Sequence, residues 1–490
     1  MIDLTMHEER LQHAIDRAKE RNILIPTFAQ MQNPALIPEN VKKALKSVGL
    51  WDVNPLNLFR ISWHNEPTMQ GGGFGGVNFI ELPSALTGVD ARIIVMCGKW
   101  FPTGCHKVGA SFGCLAPRLV TGQFDPTYNK AVWPSTGNYC RGGAYNSKLL
   151  GCDSIAILPA EMSRERFEWL SKIAGEVIAT PGCESNVKEI FDKTWELRRT
   201  RKDVIIFNQF EEMGNVLWHY QVTGHAIAEA YESIKTPTSR FAGACFTSGS
   251  AGTMSAGDYL KEQYPYSKLA VGEALQCPTL LENGFGGHRI EGIGDKHVPW
   301  VHNVRNTDMV IDIDDEDSQN LLRLFNSEEG HKYLREVAGV PEATIEQLSL
   351  LGISGIANVL CCIKFAKYYE LTGDDVVATV ATDSAVMYES RVKELNEQQG
   401  NYSLLTAARD FSEHLHGIRT DNMAELTYAD RKRVHNLKYY TWVEQQGKTV
   451  EELNAQWYDR DYWTGIHEQA KDLDKLINEF NARTGVAEKI

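Results

Sequence analysis

The stretch Gly98-Lys99-Trp100-Phe101-Pro102-Thr103-Gly104-Cys105-His106-Lys107-Val108-Gly109-Ala110-Ser111 follows the apolar run Ile93–Met96 and leads into a helical pattern. A short apolar run, a turn punctuated by Pro and Gly, and then helical spacing make one strand–helix unit. An amine attacks a carbonyl only when unprotonated, and a partly buried place near a helix N-terminus disfavours the ammonium form. Lys107 is therefore a candidate imine-forming lysine, although on this string alone a surface lysine at a helix start is the plainer reading.

Two further strings have the same strand–loop–helix setting. Trp133-Pro134-Ser135-Thr136-Gly137-Asn138-Tyr139-Cys140-Arg141-Gly142-Gly143 lies between a strand-like AVW and the helical AYNSKLLG. Small polar residues at a helix N-terminus turn hydroxyls and backbone N–H groups toward an anion such as a substrate carboxylate, and they serve equally as an N-cap with a tight turn. Thr247-Ser248-Gly249-Ser250-Ala251-Gly252-Thr253-Met254-Ser255-Ala256 runs from the strand-like FAGACF into the helical GDYLKEQ. Its small residues let backbone amides converge on a phosphate, helped by the helix dipole. It has no Gly-Lys-Ser/Thr, which disfavours a nucleoside triphosphate and suits a monoester phosphate better.

Around these strings short β-like runs (ARIIVMCG, DSIAILP, DVIIFN, KLAVGEAL, DDVVATVAT) alternate with helical ones (MSRERFEWLSKIAG, HAIAEAYESI). Such alternation predicts an α/β fold with a mostly parallel sheet covered by helices on both faces. Residues 1–75 read as a helical arm, with a helix opening near Asn40 and closing on Gly49, and Gly71–Gly76 as a flexible loop over the active site. Beyond about Glu394 long polar helices carry scattered Trp and Tyr, and Thr449 with Glu452 predicts a capping box.

The 490 residues suffice for two or three packed units. With 50 Lys and Arg against 64 Asp and Glu, the formal net charge is −14 and has no basic footprint for a nucleic-acid partner. No stretch approaches the ~20 apolar residues of a membrane span, and the N-terminus lacks the plan of a secretory signal. Ten scattered cysteines, several in apolar runs, read as buried thiols in a reducing cytoplasm. They form no CxxC pair, so no metal site is expected.

The ordered strings resemble the tryptophan-synthase-β-like, fold type II pyridoxal-phosphate enzymes. PTGCHKVGAS is similar to their lysine motif PTGSFKxRGA, PSTGNYCRGGA to PTSGNTGIGLA, and GSAGT to the phosphate cradle GTGGT. HRIEGIG (288–294) resembles HKIxGIG, and TDSAVMY (382–388) resembles PDSxxxY, of the cysteine synthase and cystathionine β-synthase branch.

The resemblance covers roughly residues 76–394 and implies two open, mostly parallel twisted sheets flanked by helices, with helical extensions at both ends. A large cofactor-binding domain (76–111 and 214–394), a small substrate-side domain (112–213), the arm (1–75) and a C-terminal extension (395–490) follow from it. It implies pyridoxal 5'-phosphate on Lys107, which forms the internal aldimine and shuttles the α-proton. Asn138 would bond the 3'-oxygen, Gly249, Ser250, Ala251, Gly252 and Thr253 would hold the phosphate, and Ser384 would face the ring nitrogen. Ser135, Thr136, Gly137, Tyr139, Arg141 and His106 fall on the substrate side.

The implied reaction is β-elimination or β-replacement on an amino acid through an aminoacrylate, with deamination and a catalytically silent scaffold as alternatives. The implied assembly is a homodimer. Cys105-His106 replaces the family's Ser-Phe, and Tyr139 and Arg141 depart from its asparagine loop. Those departures redirect substrate choice, and Arg141 suits a second carboxylate or sulfonate.

Overall fold

A computed structural model describes residues 1–135, 137–183 and 186–490. After helix α1 (Glu8–Arg21), strands β1 (Phe79–Leu82) and β2 (Arg92–Cys97) lead into α2 (Lys107–Val120). Next come β3 (Lys130–Pro134), α3 (Asn138–Leu149), β4 (Asp153–Pro159), α4 (Arg164–Ile173), β5 (Glu176–Thr180) and β6 (Val204–Ile206). The chain continues through α5 (Met213–Trp218), β7 (Arg240–Thr247), α6 (Met254–Gln263), β8 (Lys268–Ala274) and β9 (Met309–Ile313). It ends with α7 (Ile353–Tyr368), β10 (Asp375–Ala381), β11 (Met423–Glu425), α8 (Tyr428–Lys438) and α9 (Ala470–Thr484).

The strands form two sheets, a seven-stranded one in the order β1-β2-β10-β7-β8-β9-β11 and a four-stranded one in the order β5-β4-β3-β6. The smaller sheet is parallel throughout. The larger is parallel from β2 to β9, with antiparallel β1 and β11 at its edges. Its central strands are buried along their length, as sheets covered on both faces require. The α/β reading with two helix-flanked sheets is the observed fold.

Parallel strands deliver their outgoing loops to one edge. Lys107 begins α2 just after β2, Asn138 begins α3 just after β3, the 249–253 loop joins β7 to α6, and Asp383 follows β10.

Locally the reading holds in part. Thr449 and Glu452 make the capping box, with both hydrogen bonds in place. The early helix ends at Leu45, not at Gly49, whose N–H instead donates to Asp52. The glycine loop is tied down where a flexible cover was expected, because the buried Arg60 guanidinium donates to the carbonyls of Gly71, Gly72, Val48 and Leu45. The segment after residue 395 adds β11 to the sheet edge besides its helices. Buried Lys438 anchors that segment by donating to Trp300 O, His302 O and Gln456 Oε1.

Helix α2 is seated by glycines. A Cβ on Gly113 would stand 2.3 Å from Gly214 O, and one on Gly214 would stand 2.1 Å from Gly113 O, so α2 and α5 touch backbone to backbone. No flexible side chain can yield there. Gly113→Ala is expected to cost about 1–3 kcal/mol by overpacking, seen as a lowered Tm in thermal denaturation. An unchanged Tm would show that the two helices do not touch in this way.

Candidate functional site

The lysine loop is pressed against the end of β10, since a Cβ on Gly98 would lie 2.3 Å from Thr382 O. Thr103 and Gly104 then adopt consecutive left-handed conformations, φ +69° and +70°. For a threonine this costs about 1–2 kcal/mol and marks a turn held by its surroundings. The turn sets Lys107 at the start of α2, half-buried among buried neighbours. Its Nζ donates to Gln209 Oε1 at 3.3 Å and lies 3.5 Å from the place of a Cβ on Gly249.

The 249–253 loop is shaped by a side chain beneath it. Asn215 Nδ2 donates to Ser250 Oγ, and a Cβ on Gly252 would collide with Asn215 Oδ1. Ala251 stands at φ +60°, where glycine is the ordinary residue. Thr253 caps the start of α6, whose N-terminal amides and dipole face the loop. The cradle and the lysine therefore meet in one place.

In the asparagine loop Ser135 Oγ accepts from Gly137 N, and Gly137 takes φ +151°. Thr136 lies outside the described residues. Asn138 donates from Nδ2 to Asp383 Oδ2 at 2.7 Å, while its buried Oδ1 has no hydrogen-bond partner among the described residues. Two substrate-side residues point elsewhere. The Tyr139 ring packs edge-on against Trp133 in the core. His106 is buried between Trp63 and His219, and burial pushes its imidazole down to about 3, so it stays neutral.

Several residues passed over in the sequence reading complete the place. Asp383 is fully buried and also accepts from Tyr388 OH at 2.8 Å, with Arg166 Nη2 3.8 Å away. Burial pushes its carboxyl up, and Arg166 opposes that shift. Arg166, from α4, donates to Tyr388 OH and pairs with buried Glu291, which also accepts from Arg391 Nε at 2.6 Å. A cleft of about 400 Å³, lined by Met162, Cys183, His288, Glu291 and Arg391, opens beside this network. Ser384 follows Asp383 and its carbonyl closes a turn onto Met387 N.

Ser354 is the other omission. It lies in the first turn of α7, 1% exposed, and its Oγ has no hydrogen-bond partner among the described residues. A Cβ on Gly292 would lie 3.7 Å from that hydroxyl, and Gly292 O abuts Gly249. Gly352-Ile353-Ser354-Gly355 is again a small-residue string opening a helix, so the signal was of the kind used for the other two loops. Lysine, cradle, Asn138 and Ser354 come together, with Asn138 Oδ1 and Ser354 Oγ lacking hydrogen-bond partners among the described residues, and that set fits pyridoxal 5'-phosphate.

A family model described as pyridoxal-phosphate dependent enzyme matches residues 73–383. A probable cysteine synthase of Bacillus subtilis (strain 168) is 29% identical over 301 residues, 61% of this chain and 89% of that protein. A cystathionine beta-synthase of Saccharomyces cerevisiae is 25% identical over 317 residues, 63% of this chain and 59% of that protein. Among solved structures, O-acetyl serine sulfhydrylase isoform 3 of Entamoeba histolytica shares the fold with a TM-score of 0.56 at 19% identity, covering 70% of this chain and 94% of that one.

Arg166 neutralises two buried carboxylates at once. Arg166→Met is expected to cost about 3–5 kcal/mol by leaving buried Asp383 without its counter-ion and Glu291 with Arg391 alone. Adding Glu291→Gln should recover much of the loss in a double-mutant cycle followed by thermal denaturation. Strict additivity would show that the two side chains do not interact.

Proposed function

The chain belongs to the pyridoxal-phosphate dependent enzymes, and from that premise we propose a cysteine-synthase-like lyase or transferase that works at the α- and β-carbons of an amino acid. The observation that carries this reading is the Lys107 amine at a helix N-terminus, 3.5 Å from where a Cβ on Gly249 of the cradle would stand. The bound cofactor supplies an electrophilic carbon and a conjugated ring that accepts electron density released at the amino acid's α-carbon.

The chain's own groups divide the remaining work. Gly249, Ser250, Ala251, Gly252 and Thr253, with the N-terminus of α6, bind the phosphate. Asn138 orients the ring through its carboxamide. Lys107 Nζ would hold the cofactor and, as a neutral amine, would take the proton from the substrate's α-carbon and give it to the departing β-group. The N–H groups opening α3, with Ser135 and Gly137, hold the substrate carboxylate.

For the ring nitrogen we assign Ser354 in preference to Ser384, because the Ser354 hydroxyl is buried, unpartnered and beside the cradle. A hydroxyl there leaves the nitrogen largely unprotonated. That weakens the ring as an electron sink and favours loss of a β-substituent over deeper carbanion chemistry.

We propose a homodimer working in the cytoplasm. Among the described residues no helix is long and apolar enough to cross a membrane. All ten cysteines are thiols and only Cys183 is not buried, which supports a reducing compartment.

Purified protein loaded with pyridoxal 5'-phosphate should show a visible absorption band that is lost in Lys107→Ala. A wild-type chain that stays colourless with excess cofactor overturns the proposal. Assays on O-acetylated serine with and without a thiol then separate replacement, seen as thiol consumption, from ammonia release. Ser354→Ala should weaken cofactor retention about tenfold, the worth of one hydrogen bond. Ser384→Ala should leave retention unchanged in equilibrium dialysis.

A further inference from the structure

Arg141 lies three residues after Asn138, on the same face of α3. Arg141 is buried, 1% exposed. No carboxylate among the described residues comes within 4 Å of it. Among the described residues its Nη2 donates to Thr103 O at 3.0 Å, its Nη1 meets only the Met387 thioether at 3.4 Å, and its Nε has no hydrogen-bond partner. The guanidinium stacks over Trp169 at 4.8 Å. Burial lowers its pKa only to about 10, so it remains a cation at neutral pH.

A buried guanidinium without an anion costs several kcal/mol unless something else compensates it. The nearby carboxylate, Asp383, already serves Asn138, Tyr388 and Arg166. Thr103 belongs to the loop that delivers Lys107, and Met387 follows Asp383, so the cation is walled by the two loops that frame the lysine. Its Nε and Nη1 therefore have no oxygen acceptor among the described residues.

We propose that Arg141 selects amino acids whose side chain ends in a second anion, a carboxylate or a sulfonate, and that it pairs with that group while the α-carboxylate rests at the start of α3. This rests on the cofactor-dependent reading above and names its substrate class. A planar fork of donors suits a carboxylate or sulfonate oxygen pair, and a neutral β-substituent would leave the cation uncompensated.

The test uses the cofactor-loaded enzyme and two amino acids, L-aspartate and L-alanine, the second lacking the side-chain anion, with affinity read by calorimetry and by the change in visible absorption. Wild type is expected to bind aspartate about 30-fold more tightly than alanine, as a desolvated charge pair allows. In Arg141→Gln the two affinities should converge and Tm should change little. In Arg141→Lys the preference should survive in weakened form. Equal binding of both amino acids by wild type overturns the inference by itself, even if the variant does not fold. So does an Arg141→Gln enzyme that loses both ligands equally, because that marks a purely structural strut. Retained cofactor colour in those experiments shows that the cofactor-dependent reading stands, whereas a colourless wild type sinks that reading first.

Discussion

The carboxylate of Asp383 is shut away from water between two sheets, and a buried charge persists only where hydrogen bonds and a counter-ion replace its hydration. Its partners arrive from both sides of the molecule. Asn138 follows the smaller sheet's β3, Tyr388 follows β10, and Arg166 comes from α4 and reaches on to Glu291 in the 288–294 loop. Satisfying one carboxylate therefore fixes the asparagine loop against the larger sheet. The network contributes less net stability than its contacts suggest, because each ion carries a desolvation cost. Its effect is to permit one arrangement of the loops that surround Lys107.

Glycine makes the same place possible in another way. Gly98 lets β2 leave against the end of β10, Gly113 and Gly214 let α2 touch α5, and Gly252 sits on the Asn215 amide. At each point the obstacle is backbone or a buried amide, so a side chain could enter only by moving Lys107 or the cradle. Ala251 and Thr103 show the converse. They hold left-handed conformations that glycine would adopt freely, and the strain persists because neighbouring contacts determine the path of the chain.

The extensions are built into the larger unit. Strand β11 closes one edge of the larger sheet, and Lys438 clasps carbonyls of the 300–302 segment. Asn481, in α9, exchanges two hydrogen bonds with Ile25, so the two ends of the chain pack on each other. A large, continuous apolar core links α1, α2, α3 and α9. The scaffold under Lys107 thus draws on residues far outside the stretch matched by the family model.

Alternating apolar runs and helical spacings were enough to show an α/β chain. Three small-residue strings after strands were enough to name the lysine, asparagine and cradle loops, because such loops are local and their chemistry depends on neighbours in sequence. Ser354 sends the same local signal, yet its hydroxyl matters only through Gly292 and Gly249, which the chain meets about sixty and a hundred residues earlier. Asp383, Arg166 and Glu291 are ordinary charged residues in sequence and become a unit only when two sheets bury them together. His106 and Tyr139 lie beside the right residues in sequence and turn away in space, since helix geometry sends consecutive side chains to different faces. For Arg141 the sequence determined the charge. The tertiary structure decided that this charge is buried and that no carboxylate among the described residues comes within 4 Å of it, because burial and partnership belong to the packed chain as a whole.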